Sequence, residues 1–336
     1  MIKYFFSSLT RISNLAEERF DVEPWGRDDW ATSDYVVGEV IGRSGELSRV
    51  ELRSGRMIEV IEGDLVVGAW GNRRATLEAV GDWTDIGGDG MFNALTAAGL
   101  FGRATSLAPL MPPLMRLRYV GHVTRSGRKM TMGDFIPPIP DVAFEVPTLL
   151  VIGTSMSAGK TTAATRIIRH LKGLGLSIVG TKLTGAGRYR DILAMWDAGA
   201  DDIYDFVDVG LPSTIVDKEE YRSRLRDLLA LVAARKPDIV VAEAGASPLE
   251  PYNGEVVLEE LGDNVRCTVL CASDPYAVSG VIAGFGYEPD VVAGIAANTT
   301  ASVELVRRLT GHKGFSFMIP EESDDAFALI RRRLGL

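Results

Sequence analysis

Leu149-Leu-Val-Ile-Gly153-Thr-Ser-Met-Ser-Ala-Gly159-Lys160-Thr161-Thr162 decides how the second half of the chain is read. A short apolar run ends in a glycine-flanked turn, and Gly-Lys-Thr opens a helical pattern. Such a strand-loop-helix junction makes a phosphate cradle. Amide N–H groups of a small-residue loop point inward, and the helix N-terminus adds partial positive charge. In this reading Gly153, Thr154, Ser157, Ala158, Gly159, Lys160, Thr161 and Thr162 surround the phosphates of a nucleotide. Lys160 reaches the β- and γ-phosphates, and the Thr161 hydroxyl ligates Mg2+. Five residues separate Gly153 from Gly159 where the usual pattern has four, and Thr154 stands where glycine is usual. The plainer alternative is a β-turn-α junction that happens to contain Gly-Lys-Thr. The strand before it and the helix after it argue for the cradle.

From this loop to the C-terminus, apolar runs alternate with helical sequence. Strands are expected at residues 148–152, 176–180, 203–207, 238–242, 265–271, 291–296 and 315–318. Helices are expected near 161–174, 190–198 and 218–235. Apolar runs of this length separated by helices predict an α/β domain with a parallel sheet buried on both faces. The N-terminal part reads differently. Tyr35-Val-Val-Gly-Glu-Val-Ile, Ser48-Arg-Val-Glu-Leu and Met57-Ile-Glu-Val-Ile alternate apolar with polar residues. Turn residues at Gly42–Gly45, Ser54-Gly55 and Glu62-Gly63-Asp64 separate them, which predicts a small, mostly-β, barrel-like domain. Phe5, Leu9, Ile12 and Leu15 are spaced for a short helix, Met91–Ser106 begins with a helical pattern, and 133–135 reads as the start of a strand. The acidic stretch 81–90 reads as a solvated turn. Prolines crowd residues 137–147, so the expected division is 1–136, a stiff linker at 137–147, and 148–336.

Ligands of parallel sheets sit at the carboxyl ends of strands, so the residues just beyond each strand are the site candidates. After the second strand come Lys182, Thr184, Arg188 and Arg190. Lys182 suits charge developing on a transferred phosphoryl group, or is a surface lysine on a turn. Thr184 is a further substrate candidate. Arg188 and Arg190 suit an anionic substrate, or form loop salt bridges. Glu243 follows another strand and suits Mg2+, with a capping carboxylate as the alternative. Asp274 either caps the next helix or meets substrate. Asn298 either reads an adenine edge through its carboxamide or caps the next helix.

The net charge is −9 and the pI about 5.1, which argues against a nucleic-acid partner and fits a protein handling a small ligand. No apolar run is long enough for a membrane span, and the N-terminus lacks a signal-peptide pattern, so a cytoplasmic protein is expected. Cys267 and Cys271 lie on an apolar run and read as buried thiols. The sequence leaves a homodimer open.

Gly153–Thr161 resembles the phosphate loop of dethiobiotin synthetase and related ATP-dependent amidoligases, which share the five-residue gap. Lys182 is similar to that family's lysine after the second strand. Glu243-Ala-Gly245-Ala is similar to its Glu-Gly-Ala-Gly, Ala296-Ala-Asn298 to its adenine-reading segment, and Ile319-Pro320 to a segment whose backbone meets the base. Ser155 and Ala244 depart from the family's pattern, and the first domain is foreign to it. The resemblance covers about 148–335. It implies a P-loop NTPase that uses ATP and Mg2+ to phosphorylate or activate a small carboxylate, with Lys160, Lys182 and Glu243 as the catalytic groups. The alternative is an accessory ATPase or GTPase switch of metallocofactor assembly, with the β domain as docking module.

Overall fold

The computed structural model describes residues 3–42, 48–245 and 247–336, without the side chains of residues 320 and 321. The turn expected at Gly42–Gly45 lies largely outside the described residues. The chain forms two compact units. One takes in Met1–Pro138 with Ala186–Arg190 and Phe206–Ile215; the other holds Ile139–Gly185, Asp191–Asp205 and Val216–Leu336.

The first unit is built from β1 (Tyr4–Phe6), β2 (Asp21–Glu23), β3 (Tyr35–Val40), β4 (Arg49–Glu51), β5 (Met57–Glu59), β6 (Leu65–Trp70), β7 (Asn72–Arg74), β8 (Ala79–Asp82), β9 (Met91–Ala94), β10 (Leu100–Leu107), β11 (Arg116–Arg125) and β12 (Arg128–Lys129). Five of these close a ring. β6, β3, β11, β9 and β10 pair in turn antiparallel, and β10 returns to β6 in parallel. The barrel expectation therefore holds, because Val36, Val40, Val66, Trp70, Phe92, Phe101 and Leu117 alternate into one core. Glycines admit the large rings. A Cβ on Gly38 would strike Phe92 and Leu117, and one on Gly68 would strike the Gly99 carbonyl and Phe101.

Three expectations in this unit are overturned. Residues 4–6 form a strand parallel to β6, and Ser8–Thr10 is a single 3-10 turn. Three consecutive aromatics favour a pleated, half-buried edge over a helix. Met91–Ser106 forms β9 and β10, since Phe92 and Ala94 alternate inward and Gly99, at φ +87°, turns the chain between them. Residues Met132–Phe135 form a 3-10 turn, started by a capping box between Thr131 and Asp134, and no strand begins there.

Residues 136–147 carry no regular structure, 136–138 counted with the first unit and 139–147 with the second. A six-stranded parallel sheet follows. It comprises β13 (Thr148–Gly153), β14 (Ile178–Thr184), β15 (Asp202–Asp205), β16 (Ile239–Ala244), β17 (Val265–Cys271) and β18 (Val291–Ala293), in the order β15-β14-β16-β13-β17-β18. Helices α1 (Lys160–Lys172), α2 (Tyr189–Asp197), α3 (Lys218–Ala233), α4 (Gly254–Leu261), α5 (Pro275–Phe285), α6 (Thr300–Thr310) and α7 (Pro320–Leu334) intervene and follow. β13, β14 and β16 are buried along their whole length, as a sheet covered on both faces requires. This is an α/β unit with a parallel sheet and intervening helices, alongside a separate mostly-β unit.

Two boundaries move in ways that matter. β14 runs on to Thr184 and β16 to Ala244, so Lys182 and Glu243 are strand residues and not loop residues. Residues 315–318 form no strand; Gly314 makes one isolated bridge to Val292 before the chain turns into α7. Among the described residues, no helix is long and apolar enough to cross a membrane.

Gly68→Val should destabilise the β unit by about 2 kcal/mol or more, because the obstacle is backbone and cannot swing aside. Urea denaturation followed by tryptophan fluorescence checks this; a wild-type midpoint would refute the packing argument.

Candidate functional site

The loop from β13 to α1 takes its shape from its smallest residues. Ser157 and Gly159 adopt left-handed backbone, at φ +64° and +100°, and Gly159 is the N-cap of α1. Lys160 is the first residue of the helix, and its side chain folds back along the strand end, with Nζ donating to the Ser155 carbonyl at 2.7 Å. A Cβ on Gly153 would lie 2.8 Å from Lys160 Cδ and 2.9 Å from Nζ, so only glycine leaves the lysine this path. The loop is braced from behind. Thr154 N donates to the Cys271 carbonyl at 3.1 Å, and Thr154 Oγ1 accepts from Ser273 N at 3.0 Å. Gly294 packs so closely that a Cβ there would strike the Ala158 carbonyl. Ala158 is buried, while Ser157 and Thr162 are exposed.

Sheet register brings the charged groups together. In neighbouring strands Asp205 lies opposite Lys182, Lys182 opposite Glu243, and Glu243 opposite Val151. Paired residues of adjacent parallel strands point to the same face, so acid, base and acid form one row. Thr161 Oγ1 reaches into this row and donates to Glu243 Oε2 at 3.0 Å. Lys182 Nζ donates to Asp191 Oδ2, on the first turn of α2, at 2.6 Å. Two glycines leave room for the Lys182 stem: a Cβ on Gly185 would lie 3.2 Å, and one on Gly245 3.0 Å, from its Cε. Thr184 Oγ1 donates to the Gly245 carbonyl at 2.9 Å.

Lys160, Lys182 and Glu243 are each more than nine-tenths buried. Burial pulls the Lys160 ammonium below the usual lysine range, against the attraction of Glu243. Burial also works against Lys182, but Asp191 and Glu243 outweigh it and hold that ammonium above the usual range. Burial raises the Glu243 carboxyl although both lysines pull it down. The Cys271 thiol is pushed up to about 12 by burial, so it stays protonated and inert beside the loop.

The other sequence candidates separate from this cluster. Arg188 and Arg190 are exposed and belong to the β unit, where Arg190 N donates to Glu51 Oε1 at 2.9 Å. Asp274 caps α5, accepting from Tyr276 N and Ala277 N at 2.9 and 3.0 Å, with Pro275 at the first helical position. Asn298 is exposed and closes the 3-10 turn Ile295–Ala297; the N-cap of α6 is Thr299. Pro320 opens α7, and its side chain lies outside the described residues. Asp191, Asp205 and Gly294 escaped the sequence reading. Asp191 stands next to the candidate Arg190, and an acid just past a lysine-bearing strand was the available signal. Among the described residues no group of three His, Cys, Asp or Glu side chains could hold a metal ion.

No protein-family model matches the chain, and no curated protein matches it. Among solved structures it is similar to HypB from Helicobacter pylori in complex with nickel, at 13% identity over 56% of this chain and 87% of that one, with a TM-score of 0.37. It is likewise similar to an LAO/AO transport system kinase, at 17% identity over 57% and 60%, with a TM-score of 0.36. The cell division protein FtsY from Thermotoga maritima matches at 16% identity over 59% and 70%, with a TM-score of 0.37.

The raised Glu243 carboxyl has a signed consequence for stability. The folded state keeps a proton that the unfolded state releases near 4.5, so stability falls as pH rises from there through the raised folded value and is level beyond it. Glu243→Gln removes that component. Thermal melting of the nucleotide-free protein should be flatter with pH in the variant as pH rises above 4.5; superimposable profiles would count against the buried-acid description.

Proposed function

We propose that the chain binds a nucleoside triphosphate with Mg2+ at the β13–α1 loop and works as a nucleotide-dependent switch, hydrolysing the nucleotide as an accessory ATPase or GTPase. The observation that carries the reading is the register row, which brings Lys182 and Glu243 to the strand end that Lys160 crosses and Thr161 faces. Phosphate oxygens would be met by the loop amides and by Lys160, whose bond to the Ser155 carbonyl is easily exchanged for an anion. The Thr161 hydroxyl and Glu243 carboxylate, 3.0 Å apart, are hard oxygen donors of the kind Mg2+ accepts one or two at a time alongside water and phosphate. Thr161 and Glu243 would hold the ion, which supplies charge neutralisation on the transferred group. Lys182 supplies the second cation against that charge.

One contact favours the switch. Lys182 is held by Asp191, and a γ-phosphate competes with Asp191 for the same ammonium. Losing that partner leaves the first turn of α2 held by Glu51, which accepts from Tyr189 N and Arg190 N at 2.9 Å each. The residues directly before Asp191, Ala186–Arg190, are counted with the β unit, so a shift of α2 has a covalent route into it. In this reading the β unit is a docking module for a protein partner. The second reading is phosphorylation or activation of a small carboxylate. It is supported by the sequence likeness of the loop, Lys182 and Glu243 to dethiobiotin synthetase, with ATP as the nucleotide, Thr184 as a substrate contact, and Asn298 and the backbone at Pro320 at the base.

Lys160→Ala should weaken nucleotide binding at least about tenfold, the loss of one charge-assisted contact; unchanged affinity by calorimetry with ATP and with GTP would sink the site. Glu243→Gln should lower kcat far more than it raises the nucleotide Kd, and equal losses would argue against an ion-positioning role. Steady-state hydrolysis separates the two readings: stimulation by small carboxylic acids supports transfer, and stimulation only by protein supports the switch.

A further inference from the structure

The β unit holds a groove that neither reading uses. Its volume is about 610 Å³, within the size that encloses a small organic ligand. One wall is the edge strand β1, whose Tyr4, Phe5 and Phe6 are all half-buried. The other is the β4–β5 hairpin, which contributes Leu52 and Ile58. Side chains alternate along β1: Phe5 lies on the core side with Leu52 and Ile58, while Tyr4 and Phe6 pack on Phe20, at 5.2 and 6.0 Å between ring centres.

The charge at this groove is opposite to that of the chain. The protein carries −9 overall, yet Lys3, Arg53 and Arg56 line the groove against a single acid, Glu59. Glu59 faces Arg49 at 3.4 Å. Arg53 is partly used: its guanidinium pairs with Glu17 and donates to the Ser13 carbonyl at 2.9 Å, while its buried Nε has no acceptor. Lys3 lies over the Phe5 ring at 4.7 Å from its centre, and Arg56 is exposed. Neither Lys3 nor Arg56 has an acidic partner among the described residues. An apolar wall of Phe5, Leu52 and Ile58 with cations along it, on an otherwise acidic protein, is complementary to a planar ring that carries an anionic group.

We propose that this groove is a binding site for a small aromatic anion, its ring laid against Phe5, Leu52 and Ile58 and its carboxylate or phosphate met by Arg56 and Lys3. The site belongs to the β unit alone and does not depend on the nucleotide reading. Calorimetry on the full chain without nucleotide tests it, using 2-naphthoate, 2-naphthyl phosphate and uncharged 2-naphthylmethanol. At least one anion should bind with a Kd below about 1 mM, and the alcohol should bind about tenfold or more weakly. Whichever anion binds tighter identifies the head group. Arg56→Ala should weaken the anion about tenfold and leave the alcohol unchanged, and Arg56→Lys should restore part of the loss. Circular-dichroism melting identical to wild type shows that the variants are folded. The proposal is overturned if neither anion saturates the protein up to about 10 mM, if the alcohol binds as well as the anions, or if a folded Arg56→Ala binds them unchanged.

Discussion

A buried ammonium group facing a neutral carbonyl is the constraint on which the second unit turns. Lys160 is 5% exposed, and its hydrogen bond is to the Ser155 backbone oxygen. Taking an ammonium out of water is expensive unless a counter-charge arrives. Glu243 offers some, but its carboxylate also serves Thr161 and lies across from Lys182. Lys182 is held by Asp191, so of the two ammonium groups Lys160 is the one whose hydrogen bond goes to a carbonyl and not to a carboxylate. In the proposed nucleotide reading, a bound polyanion supplies the counter-charge that the Lys160 ammonium lacks.

That charge sits where it does because glycine removes the atoms that would block it. Gly153 opens the path for the lysine stem, Gly159 makes the left-handed step into α1, and Gly294 lets a neighbouring turn press against the Ala158 carbonyl. Gly185 and Gly245 do the same for Lys182. Close approach of backbone to backbone sets the loop's curvature, and the curvature aims the amides. The β unit uses the same device for another end, since Gly38 and Gly68 admit the Phe92 and Phe101 rings that fill its ring of strands.

Local patterning failed in this chain where partners come from far along the sequence. Residues 91–106 carry a helix-like start, yet Phe92 and Ala94 turn inward to a core completed by β3, β6 and β11. Tyr4–Phe6 read as the beginning of a helix until β6 takes their backbone hydrogen bonds. In both cases tertiary pairing overrode a weak local preference. The ends of β14 and β16 were placed short for a related reason: Lys182 and Glu243 are polar, and polar residues read as loop. Each is tolerated inside a buried strand because its neighbour across the register carries the opposite charge.

The parallel sheet, the phosphate loop and the alternating strands of the first unit are determined by the sequence itself, because each follows from periodicity and from glycine or Gly-Lys-Thr at short spacing. Loop and helix form within about a dozen residues, so the information is local. The row Asp205–Lys182–Glu243, the grip of Asp191 on Lys182, and the closure of five strands into a ring were decided only by tertiary structure. They depend on which strands become neighbours and in what register. That choice is made by packing both faces of a sheet at once, and no stretch of the chain carries it alone.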